Sequence, residues 1–255
     1  MTARRPPGRV ERYLYDHLAK GPLHFTLIDP DKSPGRKAAE IARGAVDLGS
    51  DVVLLGGSTG ISREVMGAAA AAVKAEVGAP VVIFPEGPAS LTEQADAVLF
   101  MSLLNSRNLD LVIRAHALAA PVVRKMGLEP IPLGYLVIAP GMRVGEVGRV
   151  DVVARDDLDG AAGYALAAEF LGMRFVYLEA GSGAPSPVPP AMVHAVRSVL
   201  SVPLVVGGGI RTGPDARGLL EAGAQVLVTG TVTEEQGLSE GFRAILEEVR
   251  RARGA

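Results

Sequence analysis

The stretch Tyr177-Leu178-Glu179-Ala180-Gly181-Ser182-Gly183-Ala184 sets a carboxylate and a Gly-Ser-Gly turn directly behind a short apolar run, Phe175 to Leu178. Glycines let a backbone approach a ligand closely and take positive φ. Successive N–H groups in such a turn, with a serine hydroxyl, make a concavity for an anion. A glutamate beside an anion is repelled by it, so Glu179 is better suited to accept a proton or face a cation. Tyr177 reads as a core residue of a strand, with a hydroxyl within reach of the same place.

Two later stretches repeat the pattern. Pro203 to Val206 runs into Gly207-Gly208-Gly209-Ile210, and Gln225 to Val228 runs into Thr229-Gly230-Thr231. A single glycine-rich turn reads most simply as a tight loop. Three of them at the ends of successive strands, separated by helix-length segments, predict one phosphate seat. In a (β/α)₈ barrel that seat often lies on the loops after the seventh and eighth strands.

Elements that could position these turns follow in regular order. The opening helix spans residues 10–20, an N-terminal extension to the rest. Apolar strands are predicted at 24–28, 51–55, 80–84, 97–103 and 133–138, ahead of the three already named. Helices are predicted at about 36–48, 62–77, 108–126 (broken or kinked near Pro121), 159–171, 189–200, 214–222 and 239–251. Continuous apolar strands imply a parallel sheet buried on both faces. Eight strand–helix units in one chain of 255 residues point to α/β architecture, a TIM barrel in a single domain spanning 1–255. The G-x-G-x-x-G fingerprint after the first strand is missing, which argues against a dinucleotide fold. Only Leu91 to Ala95 separates the third strand from the fourth. A parallel crossover needs about a dozen residues, so one helix of the ring is shortened or missing there. Residues 139–158 read as a long loop, of the kind that often forms a lid.

At the carboxyl ends of the strands this order places Asp29 and Asp31, Ser58 and Thr59, Glu86, Asn105 and Glu179. Asp29 with Ser58 offers hard oxygen ligands for Mg²⁺, which takes one or two carboxylates and completes its shell with water and phosphate. The string Asp29-Pro30-Asp31-Lys32 reads equally well as an Asx turn leading into a helix. Lys32 reads as solvated or as a phosphate contact, and Asn105 as a strand-end cap. His24 and His194 read as structural.

Composition excludes several classes. A net charge of −2 leaves no nucleic-acid footprint. The absence of cysteine rules out a disulfide framework and thiol catalysis. Four histidines, His17, His24, His116 and His194, have no metal-ligand spacing. No apolar run reaches the roughly 18 residues of a membrane helix, and Met1 to Gly8 lacks a signal peptide's apolar stretch, so a cytoplasmic location is expected.

Several strings resemble the geranylgeranylglyceryl phosphate synthase family. They are Leu27 to Lys32, Gly56-Gly57-Ser58, Phe100 to Ser106, Pro130 to Tyr135, Tyr177 to Ala184 and Gly207 to Arg211, in the family's order between about residues 20 and 248. The resemblance implies a modified TIM barrel that joins sn-glycerol 1-phosphate to geranylgeranyl diphosphate with Mg²⁺, releasing diphosphate, the first ether bond of archaeal lipids. It implies that Asp29 and Ser58 bind Mg²⁺. Tyr177, Leu178, Glu179, Ala180, Gly181, Ser182, Gly183, Gly208, Gly209, Gly230 and Thr231 would bind glycerol 1-phosphate, with Glu179 and Tyr177 catalytic. Gly230-Thr231 stands where many relatives carry Gly-Asn, and Pro85-Glu86-Gly87-Pro88 replaces another expected Gly-Asn pair, adding a charge. A homo-oligomer with transient membrane contact is implied. Rival readings are the bacterial heptaprenylglyceryl phosphate synthase and another phosphate-binding isomerase or lyase barrel.

Overall fold

Strands that are apolar on both faces need a partner layer on each side. The structure, a computed structural model describing residues 6–57, 60–231 and 238–254, solves this with a closed barrel. Its strands are β1 (Leu23–Ile28), β2 (Val52–Leu55), β3 (Val81–Ile83), β4 (Ala97–Leu103), β5 (Glu129–Val137), β6 (Phe175–Glu179), β7 (Leu204–Gly207) and β8 (Val226–Thr229). Each pairs in parallel with its neighbours in chain order, and β8 closes on β1 with Phe25 opposite Val228. The expected TIM barrel is therefore the fold.

Helices α1 (Arg9–Leu18), α2 (Arg36–Asp47), α3 (Arg63–Glu76), α4 (Ala115–Met126), α5 (Met142–Val147), α6 (Leu158–Phe170), α7 (Pro190–Val199), α8 (Gly213–Glu221) and α9 (Glu240–Arg253) complete the described elements. Their starts follow local chemistry. Ser62 accepts from Val65 N, Thr212 and Asp215 form a capping box, and Ser239 accepts from Phe242 N, each satisfying donors a helix start leaves open.

Helix α1 closes the barrel's N-terminal end. Val10 and Leu14 pack with Leu23, Phe25, Ile131, Leu133 and Phe175 at the strand beginnings. Its N-cap is Gly8, which has no side chain to cap with. Glu129, at the start of β5, does so instead, accepting from Val10 N at 2.8 Å and Glu11 N at 2.9 Å. Glu11 in turn pairs with Arg174 at 2.6 Å.

As the sequence predicts, no crossover helix follows β3: a single 3₁₀ turn, Pro88–Ser90, takes its place. Helix α4 covers part of the resulting gap, with Ala119 and Val123 packing against Leu91 and Val98. The predicted break at Pro121 is not seen, because α4 runs through that residue. The irregularity lies one stage earlier, in a π turn at Asp110–Arg114. Strand β5 begins four residues earlier than predicted. Pro130 and Pro132 argue against a central strand, yet β5 pairs with β6 only from Leu133 onward, opposite Phe175. The Pro132 carbonyl faces that side, accepting from Arg174 N, so the missing N–H groups point to where no strand has begun.

Residues 139–158 are more ordered than the expected loop. They carry α5 and are fastened by Asn105, whose Nδ2 donates to the carbonyls of Val137 and Asp151, both at 2.9 Å. Asn105 is thus a fully engaged clamp at a strand end. His24 is wholly buried between Ser50 Oγ (3.0 Å) and Thr229 Oγ1 (2.9 Å). Burial and, secondarily, the nearby Arg253 lower its pKa to about 3, so it stays neutral and structural.

Replacing Glu129 by Ala removes a cap from α1 without touching the far end of the barrel. The expected loss is about 0.5–2 kcal/mol of stability with an unchanged KM for any substrate, checked by thermal unfolding and steady-state kinetics.

Candidate active site

The C-terminal strand ends open into a cavity of about 560 Å³. One end is lined by Ser182, Gly183, Gly208, Gly209, Gly230 and Thr231. The loops after β6, β7 and β8 therefore meet there, as the three glycine-rich turns predict. Ser182 Oγ and Thr231 Oγ1 lie 3.0 Å apart and tie the outer two together. The middle one is pressed against the first, since a Cβ on Gly208 would sit 2.6 Å from Gly181 N.

Glu179 occupies the junction between this polar end and the rest of the cavity. It is buried, and an unpartnered buried carboxylate is costly. Its Oε1 accepts from Gly181 N at 2.7 Å and its Oε2 from the Tyr135 hydroxyl at 3.1 Å. The Tyr177 hydroxyl also supports it. Burial pushes its pKa up, and these three donors pull against that. Both tyrosines are held well above their ordinary pKa, first by burial and then by the neighbouring carboxylate. They therefore remain protonated donors.

This arrangement depends on two glycines. A Cβ on Gly207 would lie 2.0 Å from the Tyr177 hydroxyl, and one on Gly208 would lie 2.3 Å from Glu179 Oε1. Gly208 also has φ +80°, a region that disfavours any side chain.

The expected substrate-contacting set is only partly gathered here. Leu178 and Ala180 turn outward into the helix layer, packed among Ala161, Met192 and Val206. Ala180 N donates to Gly207 and its carbonyl accepts from Gly141 N. The strand alternation that points Tyr177 and Glu179 inward sends these two side chains the other way. Gly181 spends its N–H on Glu179 and does not line the cavity.

At the mouth, Asp29 is buried, with Oδ1 accepting from Asp31 N at 3.0 Å and Oδ2 lying 3.6 Å from Lys32 Nζ. The Asx-turn reading of this string is therefore correct, and it does not preclude a ligand role. Ser58 and Thr59 lie outside the described residues. A Cβ on Gly57 would be 4.0 Å from Asp29 Oδ2, and Gly60 N donates to Glu86 Oε2 at 2.6 Å. The other Glu86 oxygen is buried with no partner among the described residues. Lys32, Gly57 and Glu86 line the cavity.

Away from the polar end the walls are apolar: Leu91, Phe100, Met101, Ala115, Val144 and Val147 among others. This trough runs sideways where the crossover helix is missing. Sequence reasoning overlooked four residues here. Tyr135 sits opposite Tyr177 in the register of β5 and β6, a pairing the sequence does not display. Phe84 packs edge-on to both tyrosines, with ring centroids 5.8 and 6.3 Å away. Arg211 reaches the carbonyls of Ala184 and Gly183, bracing the β6 loop from the β7 loop. His116 bonds the Met101 carbonyl at 2.7 Å and meets Phe100 edge-on in the apolar wall.

Comparison with known proteins agrees with this geometry. Residues 16–249 match the PcrB family. The geranylgeranylglyceryl phosphate synthase of Thermococcus gammatolerans is 49% identical over 242 residues, 95% of this chain and 96% of that protein. That of Pyrococcus horikoshii is 47% identical over 243 residues, again 95% and 96%. Among solved structures, (S)-3-O-geranylgeranylglyceryl phosphate synthase from Thermoplasma acidophilum, in complex with its substrate sn-glycerol-1-phosphate, superposes with a TM-score of 0.91. It is 41% identical, covering 96% of this chain and all of that one. The Thermoplasma volcanium enzyme gives 0.90 at 36% identity, covering 94% and 97%. By sequence match along nearly its whole length and by fold, this chain belongs to the PcrB family, with the geranylgeranylglyceryl phosphate synthases.

Proposed function

We propose that the chain is a prenyltransferase that joins sn-glycerol 1-phosphate to geranylgeranyl diphosphate, giving geranylgeranylglyceryl phosphate and diphosphate. One observation carries this reading: a single cavity has a small-residue polar cup at one end, an apolar trough at the other, and Glu179 between them. A phosphorylated alcohol fits the first part and an isoprenoid chain the second. A sugar-phosphate isomerase or lyase has no use for the trough.

In this reading Ser182, Gly183, Gly208, Gly209, Gly230 and Thr231 hold the glycerol phosphate. That fixes its free hydroxyl toward the reacting carbon and converts an encounter into a positioned attack. Glu179 takes the hydroxyl proton and faces the positive charge that develops on the allylic carbon. Tyr177 and Tyr135 act through Glu179, donating to its carboxylate and fixing its orientation. Mg²⁺ would be held by Asp29 and Ser58; the buried Glu86 oxygen without a partner among the described residues supports a further anionic group lining the cavity. When bound, the ion would neutralise the diphosphate and assist its departure.

We further propose a homo-oligomer, supported by the exposed apolar side chains Tyr164, Phe170 and Leu171 along α6 and its end. No helix among the described residues is long and apolar enough to cross a membrane. A cytoplasmic location with transient membrane contact is consistent with that and with a lipid product.

Incubation with Mg²⁺, sn-glycerol 1-phosphate and prenyl diphosphates of several lengths tests the reaction. The expected product, read by mass spectrometry, carries the twenty-carbon chain and is lost on chelation of Mg²⁺. Preference for a thirty-five-carbon chain would favour the bacterial type of activity, and turnover of a sugar phosphate alone would refute the reading. Glu179→Gln should lower kcat by roughly 10²–10⁴-fold, the usual contribution of a positioned base, while glycerol phosphate affinity measured calorimetrically changes little; near-normal turnover would remove Glu179 from its role. Glu179 must be ionised to accept a proton, so the rate falls as pH drops through its raised pKa. The Tyr135 hydroxyl favours the ionised form. Tyr135→Phe should therefore shift the acid limb of kcat/KM to higher pH, and an unmoved limb would contradict the assignment.

A further inference from the structure

We propose that the surface formed by Leu109, Ile113, Leu118 and Val147 docks this protein onto a lipid bilayer, so that the prenyl chain passes between the cavity and the membrane at that face. The inference rests on the prenyl-transfer reading of the cavity and adds to it where the chain comes from.

These four side chains are 48, 56, 71 and 55% exposed, large values for apolar residues on a helix and its neighbouring loop. Isolated exposed apolar residues need no explanation, but contiguous ones mark an interaction site. The two segments that carry them are stitched together. Ser106 Oγ donates to the Gly148 carbonyl at 2.6 Å, Arg107 N donates to the Arg149 carbonyl at 3.0 Å, and Arg107 pairs with Asp151 at 3.1 Å. The π turn and α4 therefore stand beside α5 as one surface.

That surface is continuous with the apolar trough. Val147 belongs to both: it lines the cavity and is more than half exposed. Leu111, Ala115 and Ala119 line the cavity from α4 and the turn before it, while Ile113 and Leu118 on the same segment face solvent. Val147 is thus the point where the trough reaches the exposed face. The two segments carry one more basic than acidic side chain, Arg107, Arg114, Arg143 and Arg149 against Asp110, Glu146 and Asp151, with Arg107 paired to Asp151 and Arg114 to Asp110 and Arg143 lining the cavity. An apolar centre with arginines around it suits the headgroup boundary of a bilayer, where the stems lie in apolar surroundings and the guanidinium groups meet phosphates. The other exposed apolar patch, Phe170 and Leu171 at the end of α6, lines no part of the cavity and lacks this connection.

The test is flotation of the full chain with unilamellar vesicles of equal parts phosphatidylcholine and phosphatidylglycerol. The wild-type protein is expected to float, and the double variant Ile113→Glu, Leu118→Glu to lose vesicle binding by at least about tenfold, since each buried aliphatic side chain contributes strongly to such partitioning. Its kcat with detergent-dispersed substrate should stay unchanged. Phe170→Glu should float like wild type. The chain has no tryptophan, so Leu118→Trp supplies a single reporter whose emission should shift to the blue on adding vesicles, whereas Phe170→Trp should not respond. A wild-type protein that stays at the bottom of the gradient overturns the proposal. So does a double variant that floats normally, or one whose sedimentation mass drops, which would make this face a contact between copies. Flotation is read without substrate, so absence of prenyl transfer would refute the reading of the cavity while leaving the docking result standing on its own.

Discussion

A carboxylate wholly inside an apolar barrel is the demand around which this molecule is arranged. Burial alone raises the pKa of Glu179 and disfavours its charged form. Three donors oppose that: one backbone N–H and two tyrosine hydroxyls, from β5 and β6 and the turn after β6. Hydrogen bonds to a charged group are worth more than neutral ones, about 1.5–3 kcal/mol each, so together they can hold the ionised form. Space for this network comes from β7, where Gly207 admits the Tyr177 ring and Gly208 admits the glutamate itself. The glycine run thus serves two ends. Part of it lines the polar cup, and part exists so that an acid and a phenol can lie beneath it.

Leaving out the helix after β3 has a comparable reach. In a complete barrel a helix would cover the outer face of β3 and β4. Here a three-residue turn leaves that side to Leu91 and α4, and the cavity extends outward between them. The wide π turn at Asp110–Arg114 lies on this wall, and such turns are frequent at functional sites. A small phosphorylated alcohol needs only the mouth of a barrel. A long apolar chain needs an exit through its side, and the missing element supplies one. Polarity therefore changes along one cavity, with the buried glutamate at the boundary.

Much of this was legible in the sequence, for identifiable reasons. Continuous apolar strands and a gap too short for a helix after the third strand are statements about burial and length, and both survive folding. The start of β5 was not legible, because two prolines in a strand read as an edge unless one knows that β6 begins later. The facing of the polar cup was not legible: a run of consecutive residues, Tyr177 to Gly183, does not say which side chains enter it, and the strand sends those of Leu178 and Ala180 to the helix layer. Tyr135 was invisible as a site residue, since a tyrosine in an apolar strand most often packs in a core. Its role appears only when the register sets it opposite Tyr177. Arg211 was visible only as part of a string, and its bracing of the β6 loop depends on tertiary contact.

The charge at the mouth bears on the proposed metal independently of any resemblance. Asp29 lies beside Gly57 and Glu86 accepts from Gly60 N, and Glu86 and Glu179 line the same cavity. A diphosphate brought there meets charges of its own sign. At an effective dielectric of about 20, one pair of like charges about 4 Å apart repels by roughly 4 kcal/mol. Lys32 is more than half exposed, and an exposed lysine offsets at most about 1 kcal/mol. Arg211 is committed to backbone carbonyls. A divalent cation between the diphosphate and these carboxylates would turn repulsion into attraction. In the proposed reading, Glu86 would oppose binding of the diphosphate alone and favour its binding together with a metal ion.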